Sequence, residues 1–104
     1  MVYSSMNLID RNIDKVRDLC VKHKVNKLFA FGSVISTDFK PESVIDLVVD
    51  FAGVSIANYA DNYFALKFSL EDLFSRNVDL LEEKAIKNPY LRQEIESRKL
   101  LIYG

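Results

Sequence analysis

Between Leu8 and Lys24 the apolar residues Ile9, Ile13, Val16 and Cys20, flanked by Leu8 and Leu19, recur every three or four positions. That spacing predicts one amphipathic helix with a single packed face. Cys20 lies on the packed face, so it is expected to be buried rather than reactive. His23, between Lys22 and Lys24 at the polar end, is expected to be solvated near the helix C-terminus. Lys27 to Phe31 is aliphatic and aromatic and stops at Gly32, which predicts a buried strand running into a tight turn. Ser33 to Ser43 is polar and broken by Pro41, with room for one short helical turn at Val34 and Ile35.

The pattern changes at Val44. From Val44 to Phe51 only Asp46 and Asp50 interrupt an apolar run, which predicts a mostly buried strand ending near Gly53. From Ile56 to Arg76 the residues Ala60, Tyr63, Phe64, Leu70, Leu73 and Phe74 follow helical spacing. Val78 to Leu81 predicts a short third strand. Asn88-Pro89 then supplies an N-cap and a first-turn proline for a further helix running to about Arg98. The apolar tail from Leu100 to Tyr103 predicts either a last short strand or a docked terminal turn.

Composition narrows the classes. A chain of 104 residues with 49% hydrophobic content is expected to form one domain, residues 1–104, without a linker. Its 14 basic and 15 acidic side chains nearly cancel, so there is no strong field to draw it onto nucleic acid or an anionic membrane. No apolar run approaches the roughly 20 residues of a membrane span, and Met1 to Asn7 lacks the layout of a leader, which together favour the cytoplasm. One cysteine makes no internal disulfide, and no Cys or His stands at zinc-ligand spacing. Tyr59, Tyr63 and Phe68 raise the possibility of an RNA-binding module, but no basic stripe accompanies them; core or partner contacts are the better reading. The many apolar residues on its helices predict that a second copy or another protein covers part of the surface.

The chemistry sits in three places. A Gly32-Ser33 turn after a strand brings main-chain N–H groups and a hydroxyl close to an anion, because glycine lets the backbone approach phosphate. Asp46 stands on the following strand, where alternate residues share a face and carboxylates converge on a divalent ion. Asp79, inside an apolar strand, has to be paired, hydrated or metal-bound if it is buried. Asp50 shares the face of Asp46, but four residues at about 3.3 Å each put it some 13 Å away, too far to share an ion.

In order and spacing the chain resembles the minimal nucleotidyltransferases, short members of the polymerase-beta-like superfamily that often serve as antitoxin partners of HEPN-domain proteins. Phe31-Gly32-Ser33 is similar to the family's Gly-Ser turn. Ser43-Val44-Ile45-Asp46-Leu47-Val48-Val49, ten residues after Ser33, is similar to its Ser-Asp-x-Asp-Leu strand. Val78-Asp79-Leu80 resembles the strand of its third carboxylate. Lys87 to Tyr103, with Asn88-Pro89, Leu91, Ile95, Arg98 and Tyr103, resembles its C-terminal helix and closing strand. The resemblance implies an α+β fold, a mixed sheet of about four strands packed against about three helices. It implies transfer of AMP from ATP to an acceptor hydroxyl with Mg2+, and a HEPN-type partner. Gly32 and Ser33 would hold the triphosphate, Asp46 and Asp79 would bind metal, and Asp79 would also help deprotonate the acceptor.

The departures bear on activity. Val44 stands where the family's first metal-binding aspartate belongs, and a valine offers no oxygen to a hard cation. Ile35-Ser36-Thr37 replaces the family's small basic turn, commonly Ala-Arg-Gly. Asp38 and Glu42 lie in the loop as candidate substitutes. Removing one of three clustered acids relieves like-charge repulsion in the metal-free protein. Two functions follow from the resemblance: a nucleotidyltransferase weakened by Val44, with one Mg2+ or two, or a degenerate, antitoxin-like protein that binds a HEPN-type partner by contact alone.

Overall fold

A computed structural model of the chain describes residues 6–32 and 44–104. The polar segment between them, including Ser33, the expected helical turn at Val34 and Ile35, Pro41, Asp38 and Glu42, lies outside the described residues. The elements are α1 (Met6–Arg11), α2 (Ile13–Lys22), β1 (Val25–Phe31), β2 (Ile45–Phe51), α3 (Ile56–Phe74), β3 (Val78–Glu82), a 3-10 turn (Glu83–Ala85), α4 (Pro89–Arg98) and β4 (Leu100–Tyr103). The strands form one mixed sheet in the order β3-β2-β1-β4. β1 pairs antiparallel with β2 and β4, whereas β2 and β3 run parallel and are joined through α3, the kind of crossover a parallel pair requires.

The two sheet faces are covered unequally. On one, Leu28, Ala30, Ile45, Leu47, Val49, Val78 and Leu80 pack under Ile9, Val16 and Cys20 and under Leu66, Leu70 and Phe74 of α3. On the other, a smaller cluster of Val48, Ile86 and Ile95 with Phe29, Phe31 and Leu81 sits beneath α4. β2 is central and buried on both sides, which is why its sequence reads as a nearly continuous apolar run. Arg92 anchors α4 to the 3-10 turn, donating to the Glu83 carboxylate at 3.0 Å and to the Glu83 and Ile86 carbonyls at 2.9 Å. No helix among the described residues is long and apolar enough to cross a membrane.

Three local expectations need correction. The first helix is two helices, because the Asn12 side chain donates to the Leu8 carbonyl at 2.8 Å and takes the acceptor that would continue the ladder. The Asn12 N–H turns instead to Ile9 O at 3.0 Å. His23 is buried rather than solvated: its Nδ1 lies 2.8 Å from Leu19 O, and its own carbonyl accepts from Asn62 Nδ2 at 2.7 Å. On α3 the packed stripe runs through Tyr59, Tyr63, Leu66, Leu70 and Phe74, while Ala60 and Phe64 face outward. Cys20 is buried as expected, and burial pushes its thiol up to about 12, outside the range of a thiolate nucleophile.

The C-terminal elements follow their signals closely. Asn88 Oδ1 accepts from the N–H groups of Tyr90 at 2.9 Å and Leu91 at 3.2 Å, with Pro89 at the first helical position. Asn88→Ala is expected to cost about 1 kcal/mol of stability, read by urea denaturation; an unchanged midpoint would show that the cap contributes nothing. The tail forms a strand, paired on the outer side of β1.

Candidate functional site

β1 ends at Phe31, and Gly32 leads the chain off the sheet. Phe31 lies opposite Asp46 across the antiparallel pair, so the turn passes directly beside the second residue of β2. Gly32 has φ +71°, a conformation that glycine adopts without a Cβ penalty. Space dictates glycine as well. A Cβ on Gly32 would lie 2.6 Å from Asp46 Oδ2 and 3.3 Å from its Cγ. The Asp46 carboxylate therefore rests against the bare Cα of the turn.

β2 and β3 begin level with each other. In their parallel register Asp46 is the partner of Asp79, each the second residue of its strand. Partners in register project to the same side of a sheet, and neighbouring strands lie about 4.8 Å apart. The two carboxylates thus share one face, that of Phe31, Val48 and Leu81. Asp46 is half-buried and Asp79 is exposed. Exposure corrects the picture of Asp79 as a charge buried within an apolar strand: Val78 and Leu80 face the core, and Asp79 between them faces water. Facing water, its carboxylate keeps its hydration and carries no burial cost.

Val44 precedes Asp46 by two residues and is 41% exposed, so the edge of this acidic face carries an apolar side chain open to solvent. Asp50, four residues further along β2, is engaged elsewhere. It accepts from Asn26 Nδ2 at 2.9 Å, and Lys84 Nζ stands 3.8 Å from its other oxygen.

The donor set suits a hard divalent cation. Two carboxylates level on adjacent strands supply anionic oxygens, Mg2+ commonly takes only one or two protein carboxylates and completes its shell with phosphate oxygens and water, and the exposed side of Asp79 leaves space for them. Among the described residues no group of three or more His, Cys, Asp or Glu could hold a metal. Ser33, Asp38 and Glu42 lie outside the described residues.

Gly32→Ala tests the close approach. The flexible carboxylate end can swing aside, so the stability loss is expected to stay near 1 kcal/mol, the cost of the left-handed backbone. Affinity for the Mg2+–ATP pair, measured by calorimetry, is expected to fall about tenfold because Asp46 is displaced. A variant that keeps that affinity would show that the contact with Gly32 does not hold the carboxylate.

Behind the acids, α3 reaches the outer side of β3. Tyr59 donates to Glu82 Oε2 at 3.0 Å, Tyr63 donates to Leu80 O, and Glu71 accepts from the Val78 N–H at 2.9 Å. Burial, then the hydrogen bond to Glu82, pushes Tyr59 up to about 12; burial, with the charges of Glu82 and Asp79, raises Tyr63. Both hydroxyls remain donors at neutral pH. The sequence singles out Tyr59 and Tyr63 only as aromatics, and Glu71 not at all. The signal is their spacing of four and then eight, which aligns all three on one helix stripe.

Known proteins share this fold. Two Methanocaldococcus jannaschii proteins provisionally named as protein adenylyltransferases, MJ0128 and MJ1379, are 33% and 35% identical to the chain, over 83% and 72% of it and 93% and 74% of their own lengths. A solved structure described, also provisionally, as a minimal nucleotidyltransferase superposes with a TM-score of 0.72 at 27% identity, covering 94% of this chain and 95% of its own. A toxin-antitoxin crystal structure with AMP-PNP matches in fold, with a TM-score of 0.69 at 21% identity over 89% of this chain and 73% of that one. So does a Shewanella oneidensis complex of a tri-AMPylated HEPN toxin with an MNT antitoxin, at 0.62 and 19% identity over 91% and 71%. The family profile described as Polymerase beta, Nucleotidyltransferase matches residues 14–104, and the chain belongs to that family.

Proposed function

We propose that this chain binds Mg2+–ATP at Asp46, Asp79 and the Gly32-Ser33 turn and passes AMP to an acceptor hydroxyl at a rate limited by Val44. The observation that carries the reading is the register pair Asp46 and Asp79, level on parallel strands beside Gly32. In the reaction an acceptor oxygen forms a bond to the α-phosphorus, the bond to the bridging oxygen breaks, and pyrophosphate leaves. Bound Mg2+ would supply charge neutralisation at the phosphate oxygens. Gly32 lets the main chain approach the phosphates, and Ser33 offers its hydroxyl to them. Asp46 and Asp79 would hold the cation, and Asp79, exposed to solvent, would accept the proton of the acceptor hydroxyl.

Val44 limits the rate because it stands two residues before Asp46, just ahead of β2, and brings no oxygen to the cation. The acceptor class is a protein side chain, a reading supported by the names of the M. jannaschii relatives. A HEPN-type protein is the partner, supported by the toxin-antitoxin neighbours. On the outer side of α3, Phe64 and Phe68 stack with centroids 5.9 Å apart and are 47% and 55% exposed, an apolar patch open to a protein partner.

A second reading rests on the exposed Val44: the family fold serves as a contact-only binder of the same partner, without turnover. The two separate in one experiment with α-labelled ATP, Mg2+ and the HEPN-type protein. Label is expected to reach the partner slowly with the wild type and not with Asp79→Asn. Partner binding without nucleotide uptake or label would overturn the enzymatic reading in favour of the second.

A further inference from the structure

β3 is an edge strand, and an edge strand leaves every second pair of main-chain groups without a strand partner. The Ile45 N–H bonds the Asn77 carbonyl at 3.0 Å, so Asn77 faces β2. By alternation Asp79 and Leu81 face β2 as well, while Val78 and Leu80 turn their N–H and C=O groups outward. Those outward groups are where α3 reaches. Glu71 takes the Val78 N–H and Tyr63 donates to the Leu80 carbonyl, so both neighbours of Asp79 are tied to the helix. Leu80 is 2% exposed, which leaves its carbonyl poorly placed to find water if the hydroxyl is removed.

We propose that Tyr63 is a positioning residue for Asp79: by holding the outer edge of β3 it keeps the Asp79 carboxylate level with that of Asp46. The inference rests on the metal-nucleotide site proposed above. β3 is short, five residues, and among the described residues it is bonded to a strand on one side only. A carboxylate carried on such a strand is placed no better than the strand itself, and a ligand displaced by a fraction of an ångström from a small cation loses much of its contribution. Glu71 performs the same service one step earlier, at Val78. Its role needs an acceptor rather than a charge.

The probe is Mn2+ with a non-hydrolysable ATP analogue, its uptake followed by electron paramagnetic resonance, so that binding is read without turnover. Tyr63→Phe removes one oxygen and keeps the ring; it is expected to weaken Mn2+–nucleotide affinity about fivefold. Glu71→Gln, whose amide oxygen still accepts from Val78, is expected to bind like the wild type. Leu73→Ala, on the same helix but away from β3, is expected to lower the melting temperature and leave affinity unchanged. Should Tyr63→Phe fail to fold, Glu71→Leu carries the same expectation of weakened binding. Wild-type affinity in Tyr63→Phe alongside lost affinity in Asp79→Asn would overturn the positioning role and leave the site standing. An equal loss in Leu73→Ala would also overturn it, by reducing the effect to general stability. No Mn2+ uptake by the wild type, or undiminished uptake in Asp46→Asn, would overturn the site and the positioning role with it.

Discussion

Asp46→Asn is expected to lower the affinity of the protein for ATP in the presence of Mg2+ by about 100-fold, and Asp79→Asn by a similar factor. The reasoning is arithmetic on a short ligand list. With Val44 in place of an acid, the proposed site has two carboxylates for the cation, so removing one charge would remove half of the anionic oxygens that the protein supplies. An amide keeps the shape and one oxygen but not the charge, and Mg2+ gives up its hydration water only reluctantly. Folding is expected to change little, because Asp79 is exposed and Asp46 only half-buried. Isothermal titration of each variant with ATP at fixed Mg2+ reads the effect, and the same titration with EDTA gives the metal-free baseline. If both variants bind as the wild type does, the nucleotide is held elsewhere.

Val44→Asp is expected to work in the opposite direction, raising the rate of AMP transfer about 100-fold. A third carboxylate two residues before Asp46, just ahead of β2, would complete a two-ion arrangement, and a 100-fold gain corresponds to about 2.7 kcal/mol at the transition state. The substitution also carries a sign that activity alone does not. Three acids gathered at one end of β2 and β3 repel one another when no cation is present. The variant should therefore melt below the wild type in EDTA and regain the difference in Mg2+, because binding to the folded state alone stabilises it. Val44 is already 41% exposed, so little packing is lost by replacing it. A variant that gains Mg2+-dependent stability without gaining transfer would mean that more than this acid is missing, with Ile35-Ser36-Thr37 the next segment to restore.

How much of this the sequence discloses depends on the range of the interaction. Asn88-Pro89 reads correctly because a cap and the helix it starts lie within four residues of each other. The tail from Leu100 to Tyr103 stays open between strand and turn, since its state is decided by β1, about seventy residues away. Asn12 interrupts a helix whose apolar periodicity continues through the break, because a side chain competing for a carbonyl leaves no trace in the spacing of leucines and isoleucines. His23 among lysines looks solvated, yet it folds back onto Leu19 under Asn62, a partner supplied by a different helix.

The site divides the same way. Gly32, Asp46 and Asp79 stand out as residue types, and the family resemblance orders them, but the level register of Asp46 with Asp79 is a property of the assembled sheet. The solvent exposure of Asp79 follows from β3 presenting only one face to the main core, which a four-residue apolar stretch does not reveal. The bonds from Tyr63 and Glu71 to β3 arise only when α3 crosses back over the sheet.

Paramagnetic broadening by Mn2+–ATP in nuclear magnetic resonance spectra of the wild-type protein reads most directly where a nucleotide-bound cation sits. Resonances of Gly32, Asp46 and Asp79 are expected to broaden first, with Asp50 and its neighbour Lys84, at the far end of the same sheet face, affected much later. Broadening centred on Asp50, or spread evenly over the surface, would contradict a cation held between β2 and β3.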